Sequence, residues 1–508
     1  MEYLKELISF LNGNKIKQST SMLPGSIRRS SKIYQLYEGI LHEKIQSEAD
    51  IAETFFPGTK YPDAYTNRLK RKLRDRLVNT LFLIDLNVPH YNDLQRAHVT
   101  CYKNLTAIQV LSARYKHKAA TELAEKTLRQ SLYYGFTEIN LSIARYLSLL
   151  YSTSQKDRKR TQYYLNLVEE QAFIHSQELQ AEKAYIEVGL INAYHMAATD
   201  EISQKAKKYA EKFWPLIHKI KTPKFNNYVF YLLIASYEKT ADYQKMAEIS
   251  QAAIDFFEKN QHLATISARS FFPISNIVAL SALKQFAKAE RIGKKTMNEV
   301  EKGSSPWFNI AHYMMTSYYR NENFQAAQKL LQQIKQNPNF KKLPGLSREY
   351  WRMHEAYIYF FSKTLSLDMD PKFSSNFRAT TFLNQVPDAS RDKEGLNTQL
   401  LVLQIMISLV QKKYDNIIQR TDALKTYTSK YLRKDQSFRG NCFIKMLIQL
   451  PKANFHRAGV ERKAAPLYKR LTTESKDIVM DDADREFVPF EIIWKYILMN
   501  LDYKFHYG

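Results

Sequence analysis

Three times between Phe225 and Asn339, an aromatic-rich helix is followed by a short polar break and a second helix containing alanine. The first copy runs from Tyr228 through Tyr237, breaks at Ala241-Asp242-Tyr243, and resumes from Met246 to Ala253. Aligned on the turn, the sets are Tyr237, Tyr243, Met246 and Ala253; Leu280, Phe286, Ala289 and Thr296; Tyr318, Phe324, Ala327 and Ile334. A weaker fourth set is Ser408, Tyr414, Ile417 and Leu424, so the turn aromatics are offset by 43, 38 and 90 positions, the last close to two periods. One helical hairpin cannot bury both of its apolar faces. Neighbouring hairpins cover each other, so a sustained period confines the chain to a stacked helical array with capped ends.

This spacing resembles the tetratricopeptide repeat (TPR) superfamily. There, an aromatic near the end of the first helix, a turn aromatic six residues on and a small residue three further let two helices pack closely. Ala289 and Ala327 match the small position, whereas Met246 and Ile417 depart from it; the glycine expected in the first helix is replaced by Ile234 and Met315. The likeness covers residues 225–339 and again 400–427. It implies an all-α, right-handed superhelical solenoid of antiparallel helix pairs with a small helical N-terminal region. It also implies a protein or peptide partner on the concave face lined by first helices. Tyr237 and Tyr318 read as packing residues, while Asn226, Asn227, Tyr231, Asn309 and Tyr313 are the groove candidates.

The remaining chain reads as further helices. Leu94 to Ala113 pairs with His117 to Tyr134, and Thr137 to Ser152 pairs with Arg158 to Ile174. Gln177 to Met196 pairs with Ile202 to Ile220, and C-terminal helices are expected over 440–450, 459–473 and 489–501. The expected division is an N-terminal cap or small domain over 1–90, the repeat array over 91–480 and a capping helix over 481–508. No glycine-rich linker follows residue 90.

Within 1–90, the helix from Tyr65 to Asp85 repeats Leu69, Leu73, Leu77 and Leu81 at four-residue spacing. It also carries Arg68, Lys70, Arg71, Lys72, Arg74 and Arg76 against one acid, Asp75. The first five of these cations are the candidate nucleic-acid contacts. A solvated helix face around a leucine stripe is the alternative. The formal charge of +24 permits attraction to nucleic acid, anionic lipid or an acidic protein. Lysine enrichment without function would give the same charge.

Composition narrows the chemistry. Glycine numbers 13, where average usage would give about 35. Nucleotide-binding α/β folds depend on glycine for close backbone approach. No phosphate loop, GxSxG elbow or HExxH occurs: His354-Glu355 has no second histidine. The acids around Pro387, Asp388 and Asp392 lack the strands of a nuclease core, and Asp481, Asp482 and Asp484 read as a polar loop before a helix. No cofactor, no metal and no enzymatic activity are expected. Cys101 and Cys442 offer neither a disulfide framework nor metal spacing. With no leader-like start and no long apolar run, a reduced, cytoplasmic setting without membrane insertion is expected.

Overall fold

The same turn closes helix after helix in this chain. The computed structural model describes residues 1–13, 31–87, 92–194, 199–367, 377–384, 396–431, 438–473 and 486–506, and no strand occurs among them. The helices group into two compact units: Met1–Tyr133 with Ser142–Thr161, and Tyr134–Leu141 with Gln162–Gly508.

In the first unit, α1 (Glu2–Gly13), α2 (Lys32–Leu41), α3 (Glu48–Phe55) and α4 (Pro62–Leu81) surround their own core. Leu4, Ile8, Leu36, Ile40, Ile51, Phe55, Leu69, Leu73 and Leu77 fill it. Local chemistry sets these helices. A reciprocal capping box between Ser47 and Asp50 starts α3, and Pro62 opens α4 where a missing N–H costs nothing. The hairpin of α5 (Asp93–Ala113) and α6 (His117–Tyr133) follows, its first helix started by an Asn92–Gln95 capping box.

Next come α7 (Thr137–Thr153) and α8 (Arg158–Tyr194), each divided between the two units. Asp157 caps α8, accepting from the Arg160 amide at 3.0 Å. Here the structure corrects the expected pair of helices split near residue 175. Without glycine or proline at His175-Ser176, nothing interrupts the backbone ladder, and α8 runs on for 37 residues.

The second unit continues with α9 (Thr199–Phe213), α10 (Pro223–Lys239), α11 (Tyr243–Lys259), α12 (Ile266–Ala282), α13 (Phe286–Glu299), α14 (Ser305–Arg320), α15 (Phe324–Lys335) and α16 (Gly345–Thr364). Then follow α17 (Ala379–Leu383), α18 (Leu396–Val410), α19 (Tyr414–Tyr431), α20 (Phe438–Leu447), α21 (Gln449–Lys452), α22 (Arg457–Thr473) and α23 (Phe490–Met499). Residues at the repeat positions are buried as packing requires: Met246, Ala253, Ala289, Ala327, Ile334, Ile417 and Leu424 are all inaccessible.

Between α10 and α11, Ala241 takes a φ of 55° and the Asp242 amide bonds to the Tyr237 carbonyl at 2.9 Å. Lys284, Glu322 and Lys412 repeat that left-handed conformation after α12, α14 and α18. In each case the next amide reaches the carbonyl five residues back: Leu280, Tyr318 and Ser408. Tyr115 after α5 and Ser366 after α16 do the same. This ending satisfies otherwise orphaned helix-end carbonyls.

Alternate helices from α10 to α18 meet in chain order. Asn227 on α10 donates to Thr265, the N-cap of α12, at 3.2 Å. Ser281 on α12 donates to Ser317 on α14 at 2.8 Å. The rings of Tyr319 and Tyr357 join α14 to α16, and Tyr357 donates to Gln399 on α18 at 2.7 Å. The C-terminal helix α23 belongs to this same core: Tyr496 packs on Phe324 and Phe361, which stack at 3.9 Å.

Candidate functional site

The groove candidates divide by environment. Asn226 is fully buried; its amide accepts from the Thr222 N–H at 3.0 Å and donates to the Ile217 carbonyl at 3.3 Å. It fastens the start of α10 and meets no solvent, which corrects its assignment to a groove. Asn227 and Tyr231 are half-buried; the Tyr231 ring lies 4.6 Å from Tyr185 and 5.2 Å from Phe271. On α14, Asn309 is exposed and Tyr313 half-buried. Helical spacing places Asn309, Tyr313, Thr316 and Arg320 along one face of α14.

That face leads to a cavity of about 460 Å³ that sequence reading missed. Its walls come from the α10–α11 and α12–α13 turns, with Tyr243, Ala282 and Leu283, and from Arg320, Arg439 and Glu491. Arg439 on α20 forms a fork with the buried Glu486 at 3.0 and 2.8 Å, and also donates to Glu491 at 2.7 Å. Burial opposes the charge on Arg439, but the two carboxylates more than offset it and raise its pKa. Burial raises the Glu486 carboxyl pKa; the Arg439 fork and the Phe490 amide, which donates to Glu486 at 2.7 Å, pull it back in part.

Arg320 is different. It lines the same cavity, yet has no hydrogen bond or ion pair among the described residues. Its surroundings lower its pKa through burial, against the attraction of Glu486 and Glu491. A guanidinium still carries its charge at neutral pH. The α14 helix therefore ends by holding against a cavity wall a cation that no described residue partners.

A third feature is a polar chain in which His354 and Tyr319 are buried and His312 is half-buried. His312 Nδ1 and His354 Nε2 lie 2.9 Å apart, and the Tyr319 hydroxyl is 3.1 Å from His354 Nδ1. Phe487 covers the pair, stacking on His354 at 4.9 Å. Burial lowers the His312 pKa to about 4 and pushes His354 down as well, with His312 opposing a second charge. Both rings are neutral at pH 7, and one N–H is shared between them. Among the described residues, no group of three or more potential metal ligands gathers.

Searches of protein-family models, curated proteins and solved structures return no significant match to this chain. The site must therefore be read from its own geometry.

On α4, the leucines face the small core and the cations face outward. Arg68, Arg71, Lys72, Arg74 and Arg76 are exposed. Lys70 is committed to Glu48, and Arg74 to Asp75 at 2.8 Å. Arg68, Arg71, Lys72 and Arg76 have no ion-pair partner among the described residues. The acids at 388, 392, 481, 482 and 484 lie outside the described residues. No helix among the described residues is long and apolar enough to cross a membrane.

Proposed function

We propose that this chain is a non-enzymatic, TPR-like helical-repeat adaptor that binds a protein or peptide along its first helices. The observation that supports this most is the recurrence of one turn after α10, α12, α14 and α18, with first helices touching in sequence order. Repeated turns with ordered stacking are how solenoids build extended binding surfaces. The side chains offered to a partner are Asn227, Tyr231, Asn309 and Tyr313. Tyrosine supplies rigid contact area with a polar tip, and asparagine supplies both a donor and an acceptor.

A photo-crosslinker placed at Asn309 or at Tyr313 tests this, with Glu248 on α11 as the comparison site. The expected result is a discrete protein adduct at Asn309 and Tyr313 and none at Glu248. Equal labelling at all three positions would overturn the reading.

A second reading rests on a separate observation, the four cations exposed on α4 that pair with no acid among the described residues. It assigns that helix to a nucleic-acid backbone, with affinity falling steeply as salt rises. Unchanged binding of a DNA or RNA duplex after neutralising Arg68, Arg71 and Lys72 would remove it.

A further inference from the structure

The cavity at the end of α14 holds two opposite charges that do not meet. Arg320 and Glu491 line the same space without forming an ion pair. Glu491 uses one carboxylate oxygen, Oε2, on Arg439; Oε1 has no hydrogen-bond partner among the described residues. Opposite charges facing one partly enclosed cavity attract more strongly than in bulk water, and Arg320 feels Glu491 there while each keeps hydrogen-bonding capacity that no described residue fills. A molecule that fits between them and contacts both would satisfy two polar groups at once.

Charge selects the class of molecule. The cation of Arg439 serves two carboxylates, Glu486 and Glu491, leaving an excess negative charge beside the cavity. Arg320 cancels it. Asp242, the other acid on the wall, caps α11 through the Lys245 amide at 3.1 Å and pairs with the Lys245 ammonium at 3.4 Å. Counted over the described residues, the site is thus close to neutral. A simple anion would leave it negative and a simple cation positive, each at a desolvation cost. A ligand carrying both charges preserves the balance.

We propose that the Arg320–Glu491 cavity binds a small zwitterion of the α-amino-acid class, its carboxylate on Arg320 and its ammonium on Glu491 Oε1. The planar guanidinium suits a two-point contact with a carboxylate, and an ammonium donates to a carboxylate oxygen. Ala282 and Leu283 provide an apolar wall for a short aliphatic side chain. A cavity of about 460 Å³ falls within the range of small-molecule sites and leaves room for such a ligand with some water. This assignment does not depend on the adaptor reading, because its ligand and readout involve no protein partner.

The test is calorimetric titration of the full chain with three probes of matched length: L-norvaline, pentanoate and butylamine. Norvaline carries both charges, and each of the others carries one. Saturable binding of norvaline is expected, weakened about tenfold or more for each single-charge probe. Arg320→Lys keeps the charge and loses the planar fork; Glu491→Gln keeps the shape and loses the charge. Each is expected to weaken norvaline by a similar factor, while Lys118→Gln at an exposed position of α6 leaves it unchanged. Should Arg320→Lys fail to fold, judged by circular dichroism, Glu491→Gln decides alone. Absence of saturable norvaline binding overturns the proposal. So does pentanoate binding as tightly as norvaline, or norvaline binding that neither substitution affects.

Discussion

Helices α4 and α14 both carry cations without partners among the described residues, and the two differ in where the charge lies. On α4, Arg68, Arg71, Lys72 and Arg76 stand in water, opposite the leucine stripe. On α14, Arg320 is set against a cavity wall beside a buried carboxylate system, and His312 of the His312–His354 pair lies on the same helix. Water compensates an exposed charge almost completely, whereas a partly desolvated one depends on protein groups or a ligand. An unpaired surface cation therefore reports on long-range attraction alone. An unpaired cation on an enclosed wall reports on what the wall is shaped to receive.

The largest expected effect tests whether the α14 region is a single cooperative core. Phe361 is fully buried and touches Phe324, Tyr319 and Tyr496, joining three helices to α23. Phe361→Ala should cost about 3–5 kcal/mol by the usual cavity penalty. Denaturant unfolding of the full chain measures it. A destabilisation below about 1 kcal/mol, outside that usual range, would show that α23 does not share the core, and the contrast with α4 would lose its basis.

Next in size is the response to acid. His312 has a folded pKa near 4, against 6.5 for the free side chain. Its folded form binds fewer protons than the unfolded chain between those values. The neutral pair is therefore fully favourable above about pH 6.5, and stability falls as pH drops toward 4. The loss is roughly 3 kcal/mol for this one histidine by linkage. Glu178 and Glu486, whose pKa values burial raises, act in the opposite sense. The difference in pH slope between the parent chain and His312→Gln reports His312 together with its effect on His354, whose pKa is lowered in the same sense. Parallel slopes would mean that His312 titrates freely in the folded protein.

A smaller effect concerns the repeated turn. Ala241, Lys284 and Glu322 hold left-handed φ values of 55°, 59° and 52° without being glycine. That conformation costs a side-chain-bearing residue roughly 1–2 kcal/mol, which glycine avoids, though glycine also gains freedom in the unfolded chain. Ala241→Gly should therefore stabilise by somewhat under about 1 kcal/mol. Thermal unfolding of the full chain checks the sign.

These turns explain much of what is legible in the sequence. The register shows because the aromatic and small residues that pack hairpins recur at fixed offsets. Contacts between alternate helices fall at a comparable separation: His312 on α14 meets His354 on α16 at 42 positions, and Ser281 on α12 meets Ser317 on α14 at 36. His354 reads as isolated because no second histidine lies close to it in sequence; its partner sits one period upstream. The matching turn after α5 stands outside the aligned sets because His117 holds the place of their turn Tyr or Phe, although the helix break itself is legible.

The Arg320 cavity is less legible still. An arginine in the last turn of a helix reads as ordinary complement to the helix dipole. Arg439 and Glu491 join it only through tertiary packing. Asn226 fails as a groove residue for a related reason. Helical position alone does not reveal that its amide is consumed by the Thr222 N–H and the Ile217 carbonyl.

The smallest stability effect falls on α4, and it carries the sharpest comparison. Arg68, Arg71 and Lys72 pair with no acid among the described residues, so replacing all three with glutamine breaks no ion pair there. Glutamine retains good helix propensity and leaves the buried Leu69 and Leu73 untouched. Stability should change by no more than about 0.5 kcal/mol, the ordinary range for surface sites. If the helix rests on a nucleic-acid backbone, the same triple substitution should make the dependence of log affinity on log salt shallower. The expected change is roughly 0.9 for each phosphate that is no longer neutralised on a B-form DNA duplex. Stability unchanged with a reduced salt slope assigns α4 to a phosphate backbone. Stability unchanged with no change in slope leaves these cations as a solvated face, and concentrates the functional charge of the molecule at Arg320.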